Sequence, residues 1–474
     1  MSFQELELLD LRKRRTVSEI VDGLSRCSFG ARMLGEAADT LCAWASAPRK
    51  PLLVYDGLGA SPVGRLLARM VDRGWFSALQ SPQDFKSGEN VLVVGPFSER
   101  HAEGLYRGAQ RAIYINSQDL AKPGQFRDGF FPDVVFSDPA YILPLLEKTL
   151  EERLDGKLCT VPEWLDSAGE YGGLAGEVAH AAQTFRAMTA DPDCTVMFTV
   201  SGAMTIAKMG LVLCDMIDLG WVQAVASTGA LMAHGLVESV GLHHYKFDPS
   251  IDDAELAARR LNRVTDTLEP EGNLDHIEGL LDGILEGYQD DAPLSPRLLN
   301  RMIGEHLAQN YPNDRGILKS AYLKDVPVYV PAFVDSEIGN DVYVHNIKRR
   351  QKGRSPVMMD LELDTANLIE LVTGAKKIGI FTVGGGVPRN NVQNVAPLIE
   401  IMNERLDLGL KMSKFSYGCR ICPDRMHYGH LSGCTYSEGM SWRKMDTRGR
   451  FSEVHADATQ VWPFLVKYVM ETGD

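Results

Sequence analysis

One stretch, Gly418 to Met445 (GCRICPDRMHYGHLSGCTYSEGMSWRKM), crowds cysteines, histidines, a tryptophan and a lysine into a mostly irregular segment. Polar, aromatic loops of this kind, carried on a rigid scaffold, commonly hold binding or catalytic groups. Lys444 stands two residues after Trp442. A primary amine beside an indole is partly desolvated, which favours its neutral form and frees the lone pair for Schiff-base formation. A surface lysine near a core tryptophan has the same spacing. Cys419-x-x-Cys422, followed by His427, His430 and Cys434, offers soft ligands for zinc, but with irregular spacing after a single CxxC the ordinary reading is an internal thiol pair, and no metal is assigned. His427 and His430 could carry protons, because an imidazole as a side-chain type exchanges its proton near neutrality.

Three further turns are chemically suggestive. Gly384-Gly385-Gly386 ends the apolar run Lys377–Val383. Three glycines allow either close backbone approach to a dinucleotide or a tight turn with positive φ. Ser227-Thr228-Gly229-Ala230 ends another apolar run with small groups suited to a cofactor or to close helix–strand packing. Asp335 follows the strand-like Val326–Phe333, where a carboxylate could bind ribose hydroxyls or a substrate ammonium, or cap a helix.

These groups need a scaffold, and the hydropathy pattern supplies one. Short apolar runs at residues 51–55, 89–94, 195–200, 222–226, 326–330 and 377–383 alternate with amphipathic stretches such as 63–73 and 207–219. Alternation of this kind predicts doubly wound parallel α/β sheets. The glycine-bearing segment 156–176 is the expected boundary between a smaller N-terminal α/β domain, residues 1–160, and a larger domain, residues 172–474. Residues 51–79 and 197–225 echo one another at one offset, including Asp72-x-Gly74-Trp75 against Asp218-x-Gly220-Trp221, so the N-terminal domain reads as a possible degenerate partial repeat. Residues 251–292 read as acidic and mostly helical, and Lys348 to Arg354 as a basic loop.

The 474 residues, 45% hydrophobic and 24% charged, describe a well-cored globular chain. A net charge of −14 argues against general nucleic-acid binding. The N-terminus lacks the basic and apolar blocks of a signal peptide, and no apolar run is long enough to span a bilayer. Eight cysteines then suggest reduced thiols in a cytoplasmic protein.

Taken in order, VSGAMTIAKMG, VQAVASTGA, LNRVTDTLEPEGNLDHIEGLL, VPVYVPAFVDSEIG, IFTVGGGVPRNN, LSGCTYSEGMSWRKM and VHADATQVWPFLV resemble deoxyhypusine synthase and its bacterial relatives, from near Cys194 almost to the C-terminus. The resemblance implies a Rossmann-like subunit in a homotetramer, NAD bound at subunit interfaces, and a small-molecule amine substrate. In that chemistry an amine-bearing carbon is oxidised, a lysine forms a covalent imine, and the alkyl group passes to an acceptor. By resemblance Lys444 is the covalent lysine, Trp442 a wall of the amine pocket and Glu438 an ammonium ligand. Ser227, Thr228, Gly229, Asp335, Gly385, Ser432, Asp457 and Ala458 would line NAD.

The departures carry equal weight. The family's histidine after the triple-glycine turn falls on Asn390 or Asn391, and Asn391 joins the catalytic candidates with His430 as a replacement proton carrier. The acidic pair used for polyamine nitrogens becomes Met232-Ala233-His234. Each buried ammonium needs a counter-charge, so the lost carboxylates point away from a spermidine-like substrate. The expectation is an NAD-dependent enzyme performing aminoalkyl transfer or cyclisation. The alternative is a non-catalytic NAD-binding or assembly protein on the same fold.

Overall fold

The computed structural model describes residues 3–55, 57, 61–85, 88–95, 109–116, 134–169, 172–289, 292–429 and 432–473. They form two compact units, one of Leu9–Ala182 with Thr459–Thr472, the other of Gln183–Ala458 with the chain up to Leu8.

In the first unit, β1 (Leu52–Tyr55), β2 (Leu79–Gln80), β3 (Asn90–Val94), β4 (Arg111–Asn116) and β5 (Val134–Phe136) make a parallel sheet in the order β2-β1-β3-β4-β5. Val54, Val91, Val93, Ala112, Tyr114 and Val134 build a core on one face. Leu53, Leu92, Val94, Ile113 and Ile115 are buried as well, so the runs are continuously apolar because both faces of the sheet are buried. Trp164 packs against Tyr141 and Phe464, with ring centroids 5.5 and 5.2 Å away.

The second unit carries β6 (Cys194–Val200), β7 (Ala224–Ser227), a small antiparallel sheet of β8 (Tyr245–Lys246), β9 (Leu261–Val264) and β10 (Thr267–Pro270), then β11 (Val328–Tyr329), β12 (Lys377–Val383), β13 (Phe415–Ile421) and β14 (Met445–Val454). Its main sheet is parallel in the order β11-β7-β6-β12-β13-β14. Met197, Ala226, Ile378, Ile380 and Phe415 face the helices containing Leu368, Val392 and Ile399. On the other face Phe381 packs against Phe185 at a tilt and against Phe198 edge-to-face. The sheet grows one way from β6 to β7 and the other way to β12, so its switch point lies between β6 and β12.

The Asp-x-Gly-Trp echo has a physical basis. Gly74 and Gly220 both adopt positive φ, +75° and +77°, just beyond a helix. Trp75 N–H then reaches the Met70 carbonyl and Trp221 N–H the Met216 carbonyl. This is the same helix-terminating pair of bonds, and glycine reaches the left-handed conformation without strain.

Some expectations change. The segment read as irregular from Gly418 begins inside β13, and 261–270 is the β9–β10 hairpin rather than helix. Lys348–Gln351 form the last turn of the helix Glu337–Gln351, where cations complement the helix dipole and Lys348 pairs with Glu278 and Asp282. Among the described residues no helix is long and apolar enough to cross a membrane.

Candidate active site

The helix Tyr436–Ser441 starts where Thr435 accepts a hydrogen bond from Glu438 N–H at 3.1 Å, and this fixes Glu438 in its first turn. It ends through Arg443, which takes the left-handed conformation at φ +57°. Lys444 N–H then bonds back to the Gly439 carbonyl at 3.0 Å, so the chain reverses within two residues and enters β14. The reversal brings the Lys444 amine to 5.7 Å from the centre of the Trp442 ring, within cation–π range.

Opposite stands the helix Val387–Gln393, opened by Gly386 at φ +72°. Asn390 Oδ1 lies 3.5 Å from Lys444 Nζ. Together the two helices border an open cavity of about 550 Å³, lined by Gly386, Arg389, Asn390, Glu438, Trp442 and Lys444 among others. Burial, reinforced by the Arg389 charge, lowers the Lys444 pKa. A lysine so placed spends more time as the neutral, nucleophilic amine. A second cavity of about 550 Å³, bounded by Thr195, Pro327 and Ala375, opens at the strands' N-terminal edge, away from where such sheets place chemistry.

The expected cofactor residues line the opposite, C-terminal edge. A Cβ added at Gly229 would lie 2.2 Å from Ser336 Cβ, one at Gly202 2.3 Å from Thr228 Oγ1, one at Gly384 3.2 Å from Ser201 Cβ, and one at Gly385 2.9 Å from the Ser432 carbonyl. The turns after β7, β6, β12 and β13 therefore touch in sequence across the switch point. Ser227 is buried, its hydroxyl donating to the Val200 carbonyl at 2.8 Å. Asp335 is exposed; Ser336, not Asp335, caps the following helix by accepting from Gly339 N–H at 3.1 Å, so the Asp335 carboxylate is not used as a cap. Asp457 and Ala458 follow β14 at the same edge. The helices begun by Thr228 and Gly386 have no side-chain cap, so their first N–H groups remain available to an anion. Glycine-lined turns and uncapped helix starts at a switch point fit a dinucleotide.

Other candidates separate. Asn391, one residue and roughly 100° of helix rotation from Asn390, lines a different cavity with Tyr329 and Leu368. His430 lies outside the described residues. Cys419 and Cys422 are buried, and burial drives the Cys419 thiol up to about 12, away from the thiolate a metal would bind. Among the described residues, donor atoms with metal-like convergence belong instead to His234, His244 and Glu269, all within 4.8 Å of one another. Burial favours the neutral form of Glu269, but the two imidazoles outweigh it and hold the carboxyl near 2. Lys208 and Glu238 complete this buried charge cluster around His244, and none of its members lines the Lys444 cavity. Arg389 was not among the residues expected from the sequence, and Asn390 stood there only as the alternative to Asn391; nearness to the triple-glycine turn was the available signal for the arginine.

Residues 163–469 match the family model for deoxyhypusine synthase. The chain is 31% identical over 303 residues to "Probable deoxyhypusine synthase 1" of Methanosarcina mazei, an alignment covering 63% of this chain and 88% of the relative. It is 26% identical over 339 residues to "Deoxyhypusine synthase-like protein" of Coxiella burnetii, covering 71% and 93%.

Proposed function

The chain belongs to the deoxyhypusine synthase family, and from that premise we propose that it is an NAD-dependent enzyme that transfers or cyclises an aminoalkyl group through an imine on Lys444. The observation that carries this reading is the convergence of Lys444, Trp442 and Glu438 on one cavity, with the lysine pKa lowered by burial. NAD would be held by Ser227, Thr228, Gly229, Asp335, Gly385, Ser432, Asp457 and Ala458, and it supplies the oxidation that makes an amine-bearing carbon electrophilic and the reduction that closes the cycle. Lys444 Nζ, as the free amine, adds to the electrophilic carbon; the substrate's first nitrogen takes up a proton and leaves as an amine. The carbon is then bound to Nζ as an imine until an acceptor amine displaces the lysine. Glu438 sits where it can pair with a substrate ammonium, and Trp442 provides an apolar wall. Asn390, in place of a titrating side chain beside Nζ, orients the amine by hydrogen bonding but cannot carry its proton. That task falls to His430 in this reading.

We also propose a homotetramer in the cytoplasm, with residues 1–160 as a degenerate copy of the catalytic architecture found in 172–474. Borohydride treatment in the presence of candidate amines tests the covalent step. Wild type is expected to gain a stable adduct on Lys444, whereas Lys444→Ala and Lys444→Arg gain none; equal trapping in the variants rejects the role. A second reading, NAD binding without turnover, draws on the asparagines that replace the family's histidine. Copurified NAD with no amine-dependent change in nicotinamide absorbance would favour it.

A further inference from the structure

Arg389 is a cation in need of an anion. It is the third residue of the helix Val387–Gln393 and only 6% exposed. Its guanidinium carbon sits 5.3 Å from the centre of the Tyr436 ring. Its Nε is buried without a hydrogen-bond partner, and the Tyr436 hydroxyl is likewise buried and unpartnered. Among the described residues no carboxylate pairs with Arg389. The nearby Glu453 is already engaged: Arg420 Nη2 lies 3.1 Å from its Oε1, and the Tyr436 N–H donates to the same oxygen at 3.0 Å. A guanidinium withdrawn from water with no counter-charge is strongly disfavoured, which is why burial lowers the Arg389 pKa.

The same arginine lines the Lys444 cavity. Among the described residues the charged side chains lining that space are Arg389, Lys444 and one acid, Glu438, the remainder including neutral groups such as Asn390, Gln393, Asn394 and Thr435. A polyamine would bring two or more ammonium groups into a space where the described residues supply one carboxylate and a guanidinium with no carboxylate partner. A planar carboxylate, in contrast, matches the fork of Arg389 and supplies the missing acceptor.

We infer that the substrate at Lys444 is an amine that also carries a carboxylate, an amino acid with a second amine rather than a polyamine, with its carboxylate on Arg389 and its reacting end toward Lys444. This rests on the proposed function for the site, and it adds the substrate class and a specificity-determining residue.

The test uses the full-length protein and a matched pair of probes, 1,4-diaminobutane and its carboxylated counterpart ornithine. Protection of Lys444 from acylation, read by peptide mass spectrometry, reports occupancy without requiring turnover. Ornithine is expected to protect at a concentration at least about tenfold lower than the diamine. Arg389→Gln is expected to erase that preference, and Arg389→Lys to keep part of it. Equal or better protection by the diamine in wild type overturns the inference, and this comparison stands even where a variant fails to fold. An unchanged preference in Arg389→Gln also overturns it. So does a variant that loses NAD affinity while retaining amine preference, because the anion on Arg389 would then be the cofactor's phosphate. Calorimetry of both probes on Lys444→Arg separates the two readings: a preserved carboxylate preference alongside failed borohydride trapping in wild type removes the covalent lysine but leaves the Arg389 subsite standing.

Discussion

The two parallel sheets are wound alike and finished differently. Leaving aside the edge strand β11, the strands of each sheet taken in chain order occupy the positions 2-1-3-4-5. Each sheet's last strand leads through an aspartate, Asp138 or Asp457, into a long helix with an internal proline, Pro144 or Pro463, at the same distance beyond it. In the first unit Tyr141 and Gln460, which occupy corresponding positions in those two helices, meet where the tyrosine hydroxyl donates to the Gln460 carbonyl at 2.9 Å. The contrast is at the strand ends. After β1 the helix Pro62–Asp72 is capped by Ser61, whose hydroxyl accepts from Gly64 N–H at 3.0 Å, and after β5 Asp138 accepts from Ala140 N–H at 2.8 Å. In the second sheet the helices after β7 and β12 start without such caps. A shared winding order sets where a site can be. Whether the helix starts satisfy themselves or stay open to a ligand decides whether that place can bind an anion.

Substitutions in the two regions should separate chemistry from support. Lys444→Ala is expected to lower amine-dependent turnover by about a thousandfold or more while leaving the melting transition nearly unchanged, measured by steady-state kinetics and calorimetry. Trp164→Ala, in the first unit, should do the reverse, with a stability loss of about 3–5 kcal/mol in denaturant titration and normal Lys444 trapping in the folded fraction. Large loss of trapping there would mean the first unit takes part in the chemistry.

Smaller effects sharpen the picture within the second unit. Asn390→Asp places a carboxylate beside Nζ, which favours the charged lysine. Its trapping rate near neutral pH should fall by about tenfold and recover as pH rises, in a rate–pH profile displaced upward from wild type. The last effect is one of stability. Burial, with Glu278 and Glu337 nearby, pushes the Asp341 carboxyl up to about 6. Between about pH 4 and 6 the folded protein therefore retains a proton that the unfolded chain has released, so stability falls as pH rises through this window. Asp341→Asn should remove that decline and raise stability above pH 6 by under about 1 kcal/mol, since the group is partly solvated, as read from melts across pH.

Periodicity and composition alone were sufficient for the α/β class, because apolar runs buried on both faces and glycine-ended strands leave few other folds. β4, β5, β13 and β14 were less legible; Tyr417, Arg420, Arg448 and Arg450 interrupt the apolar pattern of the last two, and their register is held by pairing rather than by composition. The order of Trp442 and Lys444 along the chain was readable, and so was their family motif. Their meeting with Asn390 was not, since it depends on the left-handed Arg443 and on a helix more than fifty positions away in sequence. The choice between Asn390 and Asn391 turned on the rotation of a single helical step. Most of all, sequence supplied an arginine in VPRNN without saying whether water or a carboxylate would meet its charge. Tertiary structure set its surroundings by burying the guanidinium beside Tyr436 and engaging the neighbouring Glu453 with Arg420, because desolvation and pairing are properties of the packed neighbourhood and not of the residue.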